Sequence, residues 1–136
     1  MTRLSEFFED FEFHCQCGRR ECDAPSVVSS ALLKYLTEIR RDFDAPVRVT
    51  SGIRCKFWNN KQGGVAISGH LNGSEADIRC DSSRDRYKIL SSAYRHGVPR
   101  IGIGETFIHI GVAPQLDQQV TWLYRAGRGI MGAFGC

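Results

Sequence analysis

The sequence predicts an α+β domain. Two segments carry apolar residues at the three-and-four spacing of an amphipathic helix, and five short segments alternate or cluster strand-forming residues. The chain has 136 residues, 42% of them hydrophobic and 24% charged. That describes one globular domain over 1–136 with a single core.

The elements follow in chain order. Residues 4–14 set Phe7, Phe8, Phe11 and Phe13 among acids, a segment suited to lie along the core by its aromatics. His14 to Cys22 reads as a compact turn-rich loop with three cysteines. Asp23 or Ser26 can cap a helix and Pro25 fits its first turn. Val28, Leu32, Leu36, Ile39 and Phe43 then repeat at helical spacing, so a helix is expected from about 26 to 43. Asp44-Ala-Pro46 ends it, and Val47 to Thr50 alternates as a half-buried strand. Residues 51–73 hold five glycines and read as a long loop, the kind that carries function in compact domains. Ala76 to Cys80 is a short strand. Ser82 or Ser83 caps a second helix running through Tyr87, Leu90 and Tyr94 to Gly97. Ile101–Ile103, Phe107–Val112 and Val120–Tyr124 are strands, and the glycine-rich stretch 126–136 reads as a loose tail. Trp58, Trp122, Tyr87 and Tyr94 read as core or rim packing rather than a sugar-stacking platform.

Charge and cysteine usage narrow the function classes. The net charge is +3 and the basic residues are scattered, which gives nucleic acid no footprint. No apolar run approaches the roughly 20 residues of a membrane span, so no membrane insertion is expected. The start lacks a basic stretch followed by an apolar one, so synthesis in the cytoplasm without a secretory signal is expected. Of the six cysteines, Cys15, Cys17 and Cys22 cluster, with Cys55, Cys80 and Cys136 elsewhere. Three readings stand: small buried side chains, a second structural zinc with His14, or a disulfide among them or to Cys55 or Cys80.

Three residues offer metal chemistry. His70 precedes Asp77 by seven residues, and His109 stands alone in an apolar strand. Two imidazoles and a carboxylate make a zinc site that leaves one position open for water. The same residues also suit a satisfied core histidine and a turn carboxylate, and spacing by itself does not separate these readings.

A wider pattern does. Ser68-x-His70-x-x-Gly73-x-x-x-Asp77 resembles the Ser-x-His-x-x-Gly-x-Ala-x-Asp signature of the D-Ala-D-Ala carboxypeptidase-like zinc peptidases, the M15 group. Phe13-x-Cys-x-Cys-Gly18 resembles the opening of its small phage and bacterial members. Val47 to Cys55 resembles their strand into Ser-Gly-Tyr-Arg-Cys. Asn59, Gly63-Gly64, Gly102 and Phe107-Ile-His109 fall at matching positions, so the resemblance covers about 11–124. It implies a hedgehog/DD-peptidase-like fold: a central, mainly antiparallel sheet with helices on one face and a zinc groove. It implies Zn2+ on His70, Asp77 and His109. It gives Arg54 a catalytic and substrate-binding role at the oxyanion or substrate carboxylate, and makes Ser68 an organiser of the His70 loop beside the substrate.

Two departures bear on the chemistry. The family carries a small residue, often Ala, two places before the Asp ligand, and here it is Glu75. The family closes on His-x-Asp, and here the third residue is Gly111. The general base is expected to be Glu105, four residues before His109, where relatives often place an acid three before; Glu75 is the alternative.

The implied function is a zinc-dependent metallopeptidase, carboxypeptidase or endopeptidase, cutting peptidoglycan stem peptides as a monomer. It would be a phage endolysin or prophage protein acting at the cell wall. The alternative is a catalytically impaired zinc-binding domain of the same fold, serving as a binding or structural module. A Cys/His nucleic-acid module is a distant third.

Overall fold

The computed structural model describes residues 2–65, 68–125 and 129–130. An N-terminal arm with a 3-10 turn at Asp10–Phe13 leads to α1 (Ser30–Phe43). Then come β1 (Val49–Ser51), α2 (Lys56–Lys61), a 3-10 turn at Gly69–Asn72, β2 (Glu75–Arg79) and α3 (Ser83–Arg95). Four strands close the chain: β3 (Arg100–Ile103), β4 (Phe107–Gly111), β5 (Val120–Arg125) and β6 (Gly129–Ile130). The sheet order is β1-β2-β4-β3-β5-β6, antiparallel at every pair except β3 with β5. The α+β class and the mainly antiparallel sheet agree with the sequence.

Period-two alternation divides the central strands between two environments. Ala76 and Ile78 of β2, with Ile108 and Ile110 of β4, join Leu32, Leu36, Ile39, Ile89 and Ala93 in the core. Helices α1 and α3 pack on each other and on β4. Glu75, Asp77, His109 and Gly111 take the alternate positions on the same two strands, in register as Glu75 with Gly111 and Asp77 with His109. Phe8 and Phe13 of the arm are buried in the same core, so the arm is anchored by its aromatics.

Two stretches differ from the sequence expectation, and a third is mostly outside the described residues. Helix α1 begins at Ser30, not near 26, because the Ser29 hydroxyl accepts from Leu32 N–H and the Ser29 N–H is spent on Gly73 O. Val28 therefore packs on the core from outside the helix. The stretch 51–73 is not one irregular loop: it holds α2, capped by the Cys55 sulfur accepting from Trp58 N–H, and the 3-10 turn capped by Ser68. Six and four residues are too few to display a period. The expected tail over 126–136 falls largely outside the described residues; within it, Gly129–Ile130 forms β6 on β5.

Candidate metal centre

The sheet register brings the two histidines and the aspartate together. One ligand atom from each of His70, Asp77 and His109 lies within 4.8 Å of the others, and all three residues are buried. Asp77 and His109 face each other across β2 and β4. His70 reaches them from the 3-10 turn, where the His70 N–H, the second of the turn, donates to the Ser68 cap Oγ (3.1 Å).

Each imidazole is oriented by its far nitrogen. His70 Nδ1 lies 2.6 Å from Gly52 O, which makes it the protonated nitrogen and turns Nε2 towards Asp77 Oδ2 at 3.6 Å. His109 Nε2 lies 2.5 Å from Glu75 Oε1, which leaves Nδ1 facing Asp77 Oδ1 at 2.8 Å. These tautomers are assigned from the partners. Histidines that bind a metal through one nitrogen usually give the other N–H to such an acceptor. Two imidazole nitrogens and a carboxylate oxygen converging in a buried site fit Zn2+ with an open fourth position.

Electrostatics bear on the three residues unequally: Asp77 and His70 are held in the forms a metal needs, and His109 is not. Burial works against the Asp77 charge, but the His70 and His109 imidazoles outweigh it and hold the carboxyl far below its usual range. Burial pushes His70 down, towards the neutral form a ligand needs. Burial also opposes charge on His109, but its bonds to Asp77 and Glu75 raise it to about 9. Metal binding must therefore release a proton from His109.

Glu75 is the residue that sequence reasoning placed least well. It is 2% exposed, and its second oxygen accepts from Arg100 Nε at 2.6 Å. Burial disfavours its charge, but His109 and Arg100 keep it ionised below its ordinary value. Oε1 is taken by His109 and Oε2 by Arg100, so Glu75 is placed to orient the His109 ring. The signal for this was present in the two departures from the family pattern. A Cβ built on Gly111 would lie 2.5 Å from the Glu75 carboxyl carbon, and one on Gly69 would lie 2.3 Å from its Cγ. Residues 75 and 111 are cross-strand partners on one face. The glycine at 111 thus leaves room for the Glu75 carboxylate that reaches His109 from the adjacent strand.

Arg54 is held over the site by three bonds. Nε donates to Ser51 Oγ (3.0 Å), Nη1 to Asn59 Oδ1 (3.1 Å) and Nη2 to Asp77 Oδ2 (3.3 Å). Asn59, 4% exposed, is itself fixed by donating to Val65 O at 2.8 Å. Glu105 sits in the exposed turn between β3 and β4, where its carbonyl accepts from Arg86. It lines the same groove but has no side-chain hydrogen bond to the histidines or Asp77. That groove, of about 720 Å3, is also lined by Ser68, Arg54, Arg100 and Trp122. The Trp122 ring packs on His109 at 5.2 Å between centroids, and Tyr87 is an exposed surface residue.

Residues 6–112 match the family model described as Peptidase M15. The chain belongs to the M15 peptidase family. No curated protein matches it. The M15 match spans the arm, α1 and strands β1 to β4, and so contains the complete His70, Asp77 and His109 set. It ends just past Gly111, and β5, which brings Trp122 to the groove wall, lies beyond it. Among the described residues, no helix is long and apolar enough to cross a membrane.

Proposed function

We propose that this M15 family member is a zinc-dependent metallopeptidase that hydrolyses the stem peptides of bacterial cell-wall peptidoglycan. The observation that carries the reading is the buried His70, Asp77 and His109 set with both imidazoles oriented from behind, opening on a groove. A zinc ion held there would supply Lewis acidity towards a carbonyl and lower the pKa of water.

The chain's own groups account for the rest. Arg54, pinned by Ser51 and Asn59, presents a fixed guanidinium to the charge that develops on the carbonyl oxygen. Glu105, on the rim, takes the proton from water and returns it to the leaving amine. Ser68 holds the His70 turn and lines the groove where the peptide lies. Trp122 lines the groove wall with its ring packed on His109.

The test is turnover of purified wall stem peptides by the zinc-loaded chain and by Glu105→Gln. Turnover by the parent and a loss of about 100-fold or more in the variant, with zinc retained, is the expected result. Tight zinc binding without turnover of any wall peptide would favour the binding-module alternative. Full turnover by Glu105→Gln would move the base elsewhere.

A further inference from the structure

A second group of metal-ligating side chains lies outside the groove residues. The sulfurs of Cys15, Cys17, Cys22 and Cys55 all lie within 4.8 Å of one another. Sequence reasoning had grouped His14 with the first three, but the fold brings Cys55 instead, from the end of the loop after β1. The thiols of Cys15, Cys17, Cys22 and Cys55 are free, and Cys22 is at the surface. Among the described cysteines, Cys55 and Cys80 are buried, and Cys15, Cys17 and Cys22 are not, which corrects the reading of that cluster as small buried side chains.

We propose that these four cysteines bind a structural Zn2+ as thiolates, separate from the His70, Asp77 and His109 set. A regular tetrahedron of sulfurs no more than 4.8 Å apart needs each to move inward by at most about 0.6 Å to reach the usual zinc–sulfur distance of about 2.3 Å. Backbone N–H groups already aim at three of the sulfurs. Cys55 N–H donates to Cys15 Sγ (3.3 Å), Arg19 N–H to Cys17 Sγ (3.3 Å) and Trp58 N–H to Cys55 Sγ (3.4 Å). Such bonds favour the thiolate over the thiol. Gly18 takes φ +68°, a left-handed turn that lets Arg19 N–H point back at Cys17. Binding converts four thiols to thiolates and releases four protons to solvent, leaving a dianionic centre. Lys56 directly follows Cys55, and Arg19 and Arg20 lie between Cys17 and Cys22, while the acids Glu21 and Asp23 flank Cys22.

The site would tie the N-terminal arm to the loop that shapes the groove. Cys55 follows Arg54, and Ile53 N–H donates to Phe13 O at 2.8 Å. Gly52, whose carbonyl orients His70, is so close to the arm that a Cβ there would lie 2.7 Å from Phe13 Cα. A metal on Cys15, Cys17, Cys22 and Cys55 staples those two segments where small shifts would reach both Arg54 and His70.

The test uses the full chain purified under reducing conditions, with zinc per chain measured in three proteins. The parent should hold two zinc ions, Cys17→Ser/Cys22→Ser one, and His70→Ala/His109→Ala one. Cobalt(II) substitution reads ligand type: thiolate charge-transfer absorption should persist in the histidine variant and vanish in the cysteine variant. Should the cysteine variant not fold, the parent alone decides. Zinc at 100 times its Kd should slow alkylation of four cysteines about 100-fold, and a chelator should restore it. One zinc lost with the histidines and no thiolate absorption would overturn the proposal. So would disulfides among the four cysteines, or alkylation indifferent to zinc. One zinc that follows the cysteines alone would uphold this proposal while removing the metal basis of the peptidase reading.

Discussion

Exchanging the carboxylate between the two central strands is the sharpest perturbation the site offers. In Glu75→Ala, His109 Nε2 and the Arg100 guanidinium lose the partners they hold at 2.5 and 2.6 Å. The Arg100 side chain is only 12% exposed, so little water replaces the lost oxygen. Removing the acceptor behind a ligating histidine lowers metal affinity about 10- to 100-fold, or about 1.4 to 2.8 kcal/mol. Breaking a buried pair from one side costs about 3 to 5 kcal/mol of stability, so the melting temperature should fall as well. The double variant Glu75→Ala/Gly111→Asp should recover most of both losses. The space that a Cβ at 111 would take is the space the Glu75 carboxyl vacates, and the two positions are directly paired on one face. Gly111→Asp alone should be worse than the parent, because its side chain collides with Glu75. Competition against a chromogenic chelator gives the affinities, and thermal melts give the stabilities. An unchanged zinc affinity in Glu75→Ala, or a double variant no better than the single, would refute the argument that Glu75 stands in for the acid absent at 111.

Three further outcomes follow from the geometry. His109→Ala should lose the metal held by His70 and Asp77 while leaving any metal on the cysteines, as read by metal analysis. Arg54→Lys should keep zinc but lower kcat more than it raises KM, because one ammonium cannot hold Ser51, Asn59 and Asp77 together while presenting a planar fork. At the contact between α1 and α3, bonds from Ser92 and His96, with the Arg95 ion pair, hold the Asp42 carboxyl down at about 2. A lowered folded pKa gives stability that is complete above the ordinary value near 3.8 and fades as pH falls towards 2. Asp42→Asn should therefore flatten the stability profile between about pH 4 and 2, removing about 1 kcal/mol after allowing for solvent screening. An unchanged acid limb in urea melts would contradict this.

The α+β class and the candidate set of His70, Asp77 and His109 were both legible in the amino-acid sequence. Helical period marked α1 and α3, strand patterning marked β1 to β5, and the resemblance to the M15 signature, carried by Ser68 to Asp77 and by Phe107-Ile-His109, singled out His70, Asp77 and His109. Those signals are local, or are spacings along the chain that an α+β reading can carry. The tertiary structure decided what depends on register and long-range approach. Only the pairing of β2 with β4 shows that Glu75 and Gly111 are cross-strand partners, so that the two departures from the family pattern meet on one face. Only the closeness of Phe13 to Gly52 brings Cys55 to Cys15, Cys17 and Cys22, and excludes His14 from their company. Helix α2 was hidden because six residues cannot show a period and its cap is a cysteine, a residue that sequence rules do not read as a helix start. Partners drawn from opposite ends of the chain leave no trace in local pattern, because burial and register are properties of the packed sheet and not of any one segment.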